Sequence, residues 1–252
     1  MLKASNIVVD QRLNIPEFEL SEGQVSVVLG SNGAGKSTLI SVLSGDLSVP
    51  GATVTLDGQA LGDLSHKERA ARMAVLGQRQ PLEFDFPVAD VIKMGADPLD
   101  LSDVQVEQRL TEISTALSLT HLLARKYTTL SGGESQRVQL ARVLMQRPTT
   151  PGLLLLDEPL TALDLRSKAT AMRYLCSLKE EGHTLLLVLH DLNLASQYAD
   201  RFLLITEGGV LAEGTHEVLT PQRLSQLYEI EVNRIGHTET GQPQFSVLGS
   251  NP

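Results

Sequence analysis

Residues 25–45 read VSVVLGSNGAGKSTLISVLSG, and this stretch decides the fold. An apolar run of strand length stops at Gly30, and an apolar helical pattern begins beyond Lys36 and Ser37. Gly30, Gly35, Lys36 and Ser37 satisfy the spacing G-x-x-x-x-G-K-[ST], with Ser31, Asn32, Gly33 and Ala34 inside the loop and Thr38 just after it. Glycines at 30, 33 and 35 let successive backbone amides turn inward and approach phosphate oxygens. Lys36 supplies a cation near the outer phosphates, and the Ser37 hydroxyl is a hard ligand for Mg²⁺. A strand before the loop and a helix after it are the context this chemistry requires.

Working outward, short runs rich in Val, Ile and Leu alternate with longer helical patterns: LLLLDEP at 153–159, TLLLVLH at 184–190 and RFLLIT at 201–206. Continuous apolar runs of this length predict a mainly parallel sheet covered on both faces by helices, hence an α/β fold. KASNIVV at 3–9 and ATVTLDG at 52–58 read instead as an antiparallel edge layer. From about 85 to 150 the pattern turns helical, opening with FPVADVIKMG, which predicts a helical subdomain. The expected division is a nucleotide-binding core with its β layer at 1–84 and 151–220, the subdomain at 85–150, and a tail at 221–252. In that tail a helix starts near Pro221 and irregular chain follows.

Composition narrows the function. The 252 residues suffice for one core with a subdomain but not for two full nucleotide domains. A net charge of −9 with no basic run argues against a nucleic-acid partner. The N-terminus lacks the apolar core of a signal peptide, and the longest apolar runs are too short to span a bilayer, so a cytosolic chain is expected. Cys176 is the one cysteine, which excludes an internal disulfide, and MRYLCSLKE places it on a helix.

A Mg²⁺-nucleotide site needs a further oxygen ligand and a group that orients or deprotonates water. LLLLDEP supplies adjacent candidates at the carboxyl edge of the sheet, where open α/β folds bind ligands: Asp157 for the metal and Glu158 as general base. TLLLVLH ends in His190 at the same edge, suited to holding the γ-phosphate, the water and Glu158 in line. The other histidines show no metal-ligand spacing. Gln78, after ARMAVLG, carries a carbonyl able to reach Mg²⁺ or the lytic water.

One motif has no chemistry of its own. In LSGGESQRVQLARVLMQ at 130–146, Ser131, Gly132 and Gly133 head a helix whose residues Val138, Ala141, Leu144 and Met145 share one face. The free amides of a helix start can clamp an anion, and the same residues are equally an ordinary serine cap.

The loop at 30–38, Gln78, LSGGESQ, LLLLDEP, TALD at 161–164 and His190 stand in the order found in ATP-binding cassette ATPases, and nearly the whole chain resembles that family. The resemblance implies ATP and Mg²⁺ as ligands. It also implies a head-to-tail homodimer in which Ser131, Gly132 and Gly133 close over the triphosphate of the facing copy, with Asp164 at the seam. It further implies a membrane permease dimer as partner, an indirect periplasmic substrate-binding protein, and a peripheral place on the cytoplasmic face of the inner membrane. AVLGQRQPLEFDFPVADVIKMG, YTTLSGGESQRVQLARVLMQ, LTALDLRSKA and VLHDLNLASQYADR are similar to the branch serving haemin, vitamin B12 and iron-siderophore permeases, most of all haemin. A soluble cassette ATPase without a transport role is the alternative. The family often stacks an aromatic on adenine; the stretch NIVVDQRLNIPEFEL departs from that pattern, being short and offering only Phe18, out of place for the contact, so the Arg12 guanidinium is the substitute platform.

Overall fold

The computed structural model describes residues 2–10, 12–77, 85–161 and 163–248. Strands β1 (Leu2–Val9) and β2 (Leu13–Glu19) form an antiparallel hairpin, and β3 (Val25–Leu29) runs into helix α1 (Lys36–Ser44). Next come β4 (Thr53–Leu56), β5 (Gln59–Ala60), α2 (His66–Ala70) and β6 (Met73–Leu76). Helices α3 (Val88–Lys93), α4 (Asp103–Ala116) and α5 (Gly132–Met145) occupy the expected helical stretch. The chain then alternates through β7 (Leu153–Asp157), α6 (Leu165–Glu180), β8 (Thr184–Val188), α7 (Leu192–Tyr198), β9 (Arg201–Thr206) and β10 (Gly209–Gly214). It ends with α8 (Pro221–Tyr228) and the strands β11 (Glu231–His237) and β12 (Pro243–Leu248).

One sheet has the order β5-β4-β1-β2-β10-β9-β3-β8-β7-β6. From β9 to β6 every pairing is parallel; β1 and β4 pair antiparallel as the sequence reading expects, and β2 and β5 extend that antiparallel layer. The central strands β3 and β8 are buried at every position, and β7 at every position but its last, because both faces of the sheet are covered. In β7, Leu154 and Leu156 join the core that contains the helical subdomain, whereas Leu153 and Leu155 join the core around α1 and the antiparallel strands. Alternate residues of one strand thus tie the two halves of the molecule to the same backbone.

Four strands ahead of the tail, β2, β5, β6 and β10, escape the sequence reading. β6 has only four residues, and β10 is short, half-exposed and bulged between Val210 and Ala212. The tail also differs from expectation. Thr220 caps α8 and Pro221 opens it as the sequence suggests, but the supposedly irregular chain beyond it forms the antiparallel β11–β12 hairpin. That hairpin is held by tertiary hydrogen bonds: Asn193 of α7 exchanges two with the Phe245 backbone, at 2.8 and 2.9 Å, and Ser196 donates to the Pro243 carbonyl at 2.6 Å. A two-stranded ribbon is marginal alone, so its stability comes from this docking. Among the described residues, no helix is long and apolar enough to cross a membrane.

Leu187 in β8 is fully buried, while Leu165 at the head of α6 is 83% exposed. Leu187→Ala should therefore lower unfolding free energy by about 2–5 kcal/mol. Leu165→Ala should change the monomer's by less than about 0.5 kcal/mol. Urea titrations of the two variants check this contrast.

Candidate functional site

The turn after β3 is tight, and two of its three glycines, Gly30 and Gly35, are pressed against neighbouring backbone. A Cβ on Gly30 would collide with the Ile205 carbonyl, and one on Gly35 would collide with that of Arg12. Gly33 and Gly35 also sit at φ 81° and 97°, where side chains are strained. The loop ends in α1, whose first turn carries Lys36 and Ser37. Lys36 is only 5% exposed, and its Nζ donates to the Gly30 carbonyl at 2.9 Å and the Ser31 carbonyl at 2.7 Å. Its cation is thereby fixed at the centre of the loop. Burial pushes the Lys36 ammonium below its ordinary pKa, opposed by the charges of Glu158 and Asp157.

Asp157 closes β7 beside Ser37, with which its carboxylate shares a hydrogen bond. Burial raises its pKa above the usual carboxylate value, against the Ser37 hydrogen bond, and the neighbouring Glu158 charge adds to the rise. Asp157 Oδ1 is buried without a hydrogen-bond partner. An orphaned carboxylate oxygen beside a serine hydroxyl is the oxygen chemistry that Mg²⁺ takes, so these residues fit the ion. Among the described residues, no group of three or more His, Cys, Asp or Glu forms a cage for a metal.

Glu158 stands at φ 49°, in the left-handed region. Its Oε1 lies 2.7 Å from His190 Nε2, and its Oε2 accepts from Thr161 Oγ1 at 3.0 Å. Burial raises its pKa, but the His190 hydrogen bond and charge, then Thr161 and Lys36, outweigh burial and leave it lowered. Glu158 faces a cleft of about 330 Å³ that is lined by Arg12, Asn32, Gly33, Gly35 and Lys36. A second cleft of about 900 Å³ adjoins it at Ser37 and Thr38, where Asp157 is exposed to it, and extends along α1 toward α2. Arg12 borders both clefts, whereas Phe18 is buried in the core and offers no face to either.

The remaining sequence candidates stand apart from these clefts or outside the described residues. Ser131 caps α5 in a reciprocal box with Glu134: its backbone amide and hydroxyl each donate to Glu134 Oε2 at 2.8 Å, and the Glu134 amide donates to Ser131 Oγ at 3.3 Å. Ser131 and Gly132 are exposed and Gly133 half-buried, and none of the three lines the phosphate-loop clefts. Asp164 caps α6 through Ser167 and is exposed beside Leu165. Gln78 lies outside the described residues. The sequence reading gave no role to Thr161 or to Gln136, whose Nε2 donates to the Glu158 carbonyl at 2.8 Å. Both lie within quoted motifs, TALD and LSGGESQ, and only three-dimensional proximity ties them to Glu158.

The family model described as "ABC transporter" matches residues 13–161. A hemin import ATP-binding protein of Gloeobacter violaceus is 40% identical over 261 aligned positions, covering 99% of this chain and 95% of the relative. Its counterpart in Pseudomonas aeruginosa is 44% identical over 230 positions, 90% of each chain. Among solved structures, a dimeric bacterial ABC transporter cassette superposes with a TM-score of 0.75 at 25% identity, covering 85% of this chain and 98% of that one. An inward-facing ABC transporter designated metal-chelate type gives a TM-score of 0.79 at 25% identity, covering 98% and 97%.

The raised pKa of Asp157 makes a signed prediction. A folded pKa above the unfolded value means that ionisation costs stability as pH rises through the folded pKa, and that this cost vanishes below the unfolded value of about 3.9. Asp157→Asn should accordingly raise the melting temperature at neutral pH. The gain should shrink to nothing as the buffer is taken into the acid range, as thermal melts across pH would record.

Proposed function

This chain belongs to the ABC transporter family, and from that premise we propose that it is the ATP-hydrolysing subunit of a bacterial hemin importer. The observation that carries this reading is the convergence of Lys36, Ser37, Asp157, Glu158 and His190 at the carboxyl edge of β3, β7 and β8. The names of the two relatives, both hemin import ATP-binding proteins, support the cargo.

The chain's own residues divide the work. Loop amides from Gly30 to Ser37, with Thr38 beside them, receive the phosphates of ATP, and Lys36 balances their charge from a fixed position. Ser37 and Asp157 would hold Mg²⁺, with Gln78 as a further ligand or water contact; when bound, the ion polarises the γ-phosphate and neutralises charge on its oxygens. Glu158, ionised at neutral pH by its lowered pKa, accepts the proton of the attacking water at its carboxylate. His190 and Thr161 each occupy one carboxylate oxygen and so fix the plane in which that proton is received. The Arg12 guanidinium borders the clefts where a base would emerge and is our candidate for stacking on adenine.

Ser131, Gly132 and Gly133 stand at the start of α5 and line neither phosphate-loop cleft of their own chain. Their use is to close on the triphosphate held by a second copy, in a head-to-tail homodimer. Asp164 and the exposed Leu165 beside it belong to that seam. Nucleotide that touches both surfaces only in the closed state drives closure, and hydrolysis releases it. A permease dimer converts the stroke into transport, with a periplasmic binding protein delivering cargo and this subunit held peripherally at the cytoplasmic face of the inner membrane.

Glu158→Gln should bind ATP, accumulate as a dimer in size-exclusion chromatography and release no phosphate. Wild-type turnover in that variant would remove Glu158 as base. Ser131→Arg should abolish both the ATP-dependent dimer and hydrolysis, and an unaffected steady-state rate would count against the clamp. In the host, a strain whose only copy carries Glu158→Gln should fail to grow with hemin as sole iron source; normal growth would overturn the cargo.

A further inference from the structure

The carboxylate of Glu158 is held by His190 and Thr161, but its main chain is held from a different part of the molecule. Gln136, in the second turn of α5, is 8% exposed and donates from Nε2 to the Glu158 carbonyl at 2.8 Å, across 22 residues of sequence. The Thr161 amide reaches the same oxygen at 3.4 Å. Glu158 carries a side chain at φ 49°, a conformation that persists only where the surroundings hold it. The direction of a residue's carbonyl reports its ψ, so a donor fixed on that oxygen resists rotation of the peptide plane that follows Glu158. If the backbone relaxed to negative φ, the Cα–Cβ bond would swing and carry Oε1 away from His190 Nε2.

We propose that Gln136 is a positioning residue for hydrolysis, holding Glu158 in the left-handed conformation that aims its carboxylate at the phosphate-loop cleft. The proposal rests on the reading of Glu158 as general base and adds a coupling to it. The helix that carries Gln136 begins at Ser131, so one rigid element bears both the clamp offered to a partner and the tether on this chain's own base. Any shift of α5 against β7 acts on both. A subunit would then aim its own Glu158 only when its own clamp helix is seated, which links the two sites of a dimer through a single hydrogen bond in each chain.

The test uses the full chain with two substitutions of similar volume that remove the donor, Gln136→Met and Gln136→Glu. For each, kcat should fall about 10- to 100-fold, the loss expected when a reacting group is misplaced by about 1 Å. KM for ATP should stay within about twofold, because the phosphate loop is untouched. Melting temperature and the ATP-dependent dimer should be retained. A kcat within about twofold of wild type in Gln136→Met overturns the proposal. A fall in melting temperature together with a rise in KM also overturns it, by making Gln136 a packing residue. Absence of turnover in the wild-type chain would sink the proposed function and this inference together, whereas wild-type turnover with kcat undiminished in both variants sinks this inference alone.

Discussion

Across three neighbouring parallel strands, Val28, Val188 and Asp157 stand in one row: Val28 pairs with Val188, and Val188 with Asp157. The site depends on this register. From that row the chain is one residue from the end of β3 and two from Gly30, one residue from Glu158, and two from His190. Glycine loop, carboxylates and imidazole therefore leave the sheet at one level. Because side chains alternate across a strand, slipping β7 by a single residue would exchange Leu153 and Leu155 with Leu154 and Leu156 between the two cores and turn Asp157 from Ser37. The alternating leucines thus specify the position of a carboxylate that makes no contribution to the core itself.

The polar groups brought together in this way are costly as individuals. Burial opposes ionisation of both Lys36 and Asp157, and the carboxylates restore part of what Lys36 loses. Lys36 is satisfied by two loop carbonyls, whereas Asp157 retains an unpaired oxygen. Glu158 adds a strained backbone, which Gln136, Thr161 and His190 hold in place. Such a site is not built for stability. It persists because the strands beneath it are buried on both faces and supply the stability that its polar groups lack.

Some of this was legible in single-letter code. The apolar runs at 25–29, 153–156 and 184–188 read correctly as buried parallel strands because few other structures suit continuous Val, Ile and Leu of that length. The helix headed by Ser131 was legible from its cap and its 3.6-residue periodicity, and Val138, Ala141, Leu144 and Met145 are all buried. The hairpin at 231–248 was not, since its formation depends on Asn193 and Ser196 of α7, far away in sequence. β10 was also missed, because its half-exposed, bulged sequence carries no strong period. Phe18, out of place for stacking on a base in the sequence reading, is buried in the core.

Sequence by itself determined the chemistry available: a glycine-rich turn for phosphates, a lysine, a serine hydroxyl, two adjacent carboxylates and a histidine, each at the end of an element whose type its neighbours dictate. These are local properties, set by backbone freedom, side-chain functional groups and short-range periodicity. The tertiary structure decided which of them meet. The pairing of Glu158 with His190 and the reach of Gln136 to the Glu158 carbonyl are contacts between residues 32 and 22 positions apart in sequence. The outward face of Ser131 is likewise set by how α5 seats against the sheet. Such relations follow from strand order and helix packing, which depend on the burial of the whole apolar set at once and cannot be written into any one segment.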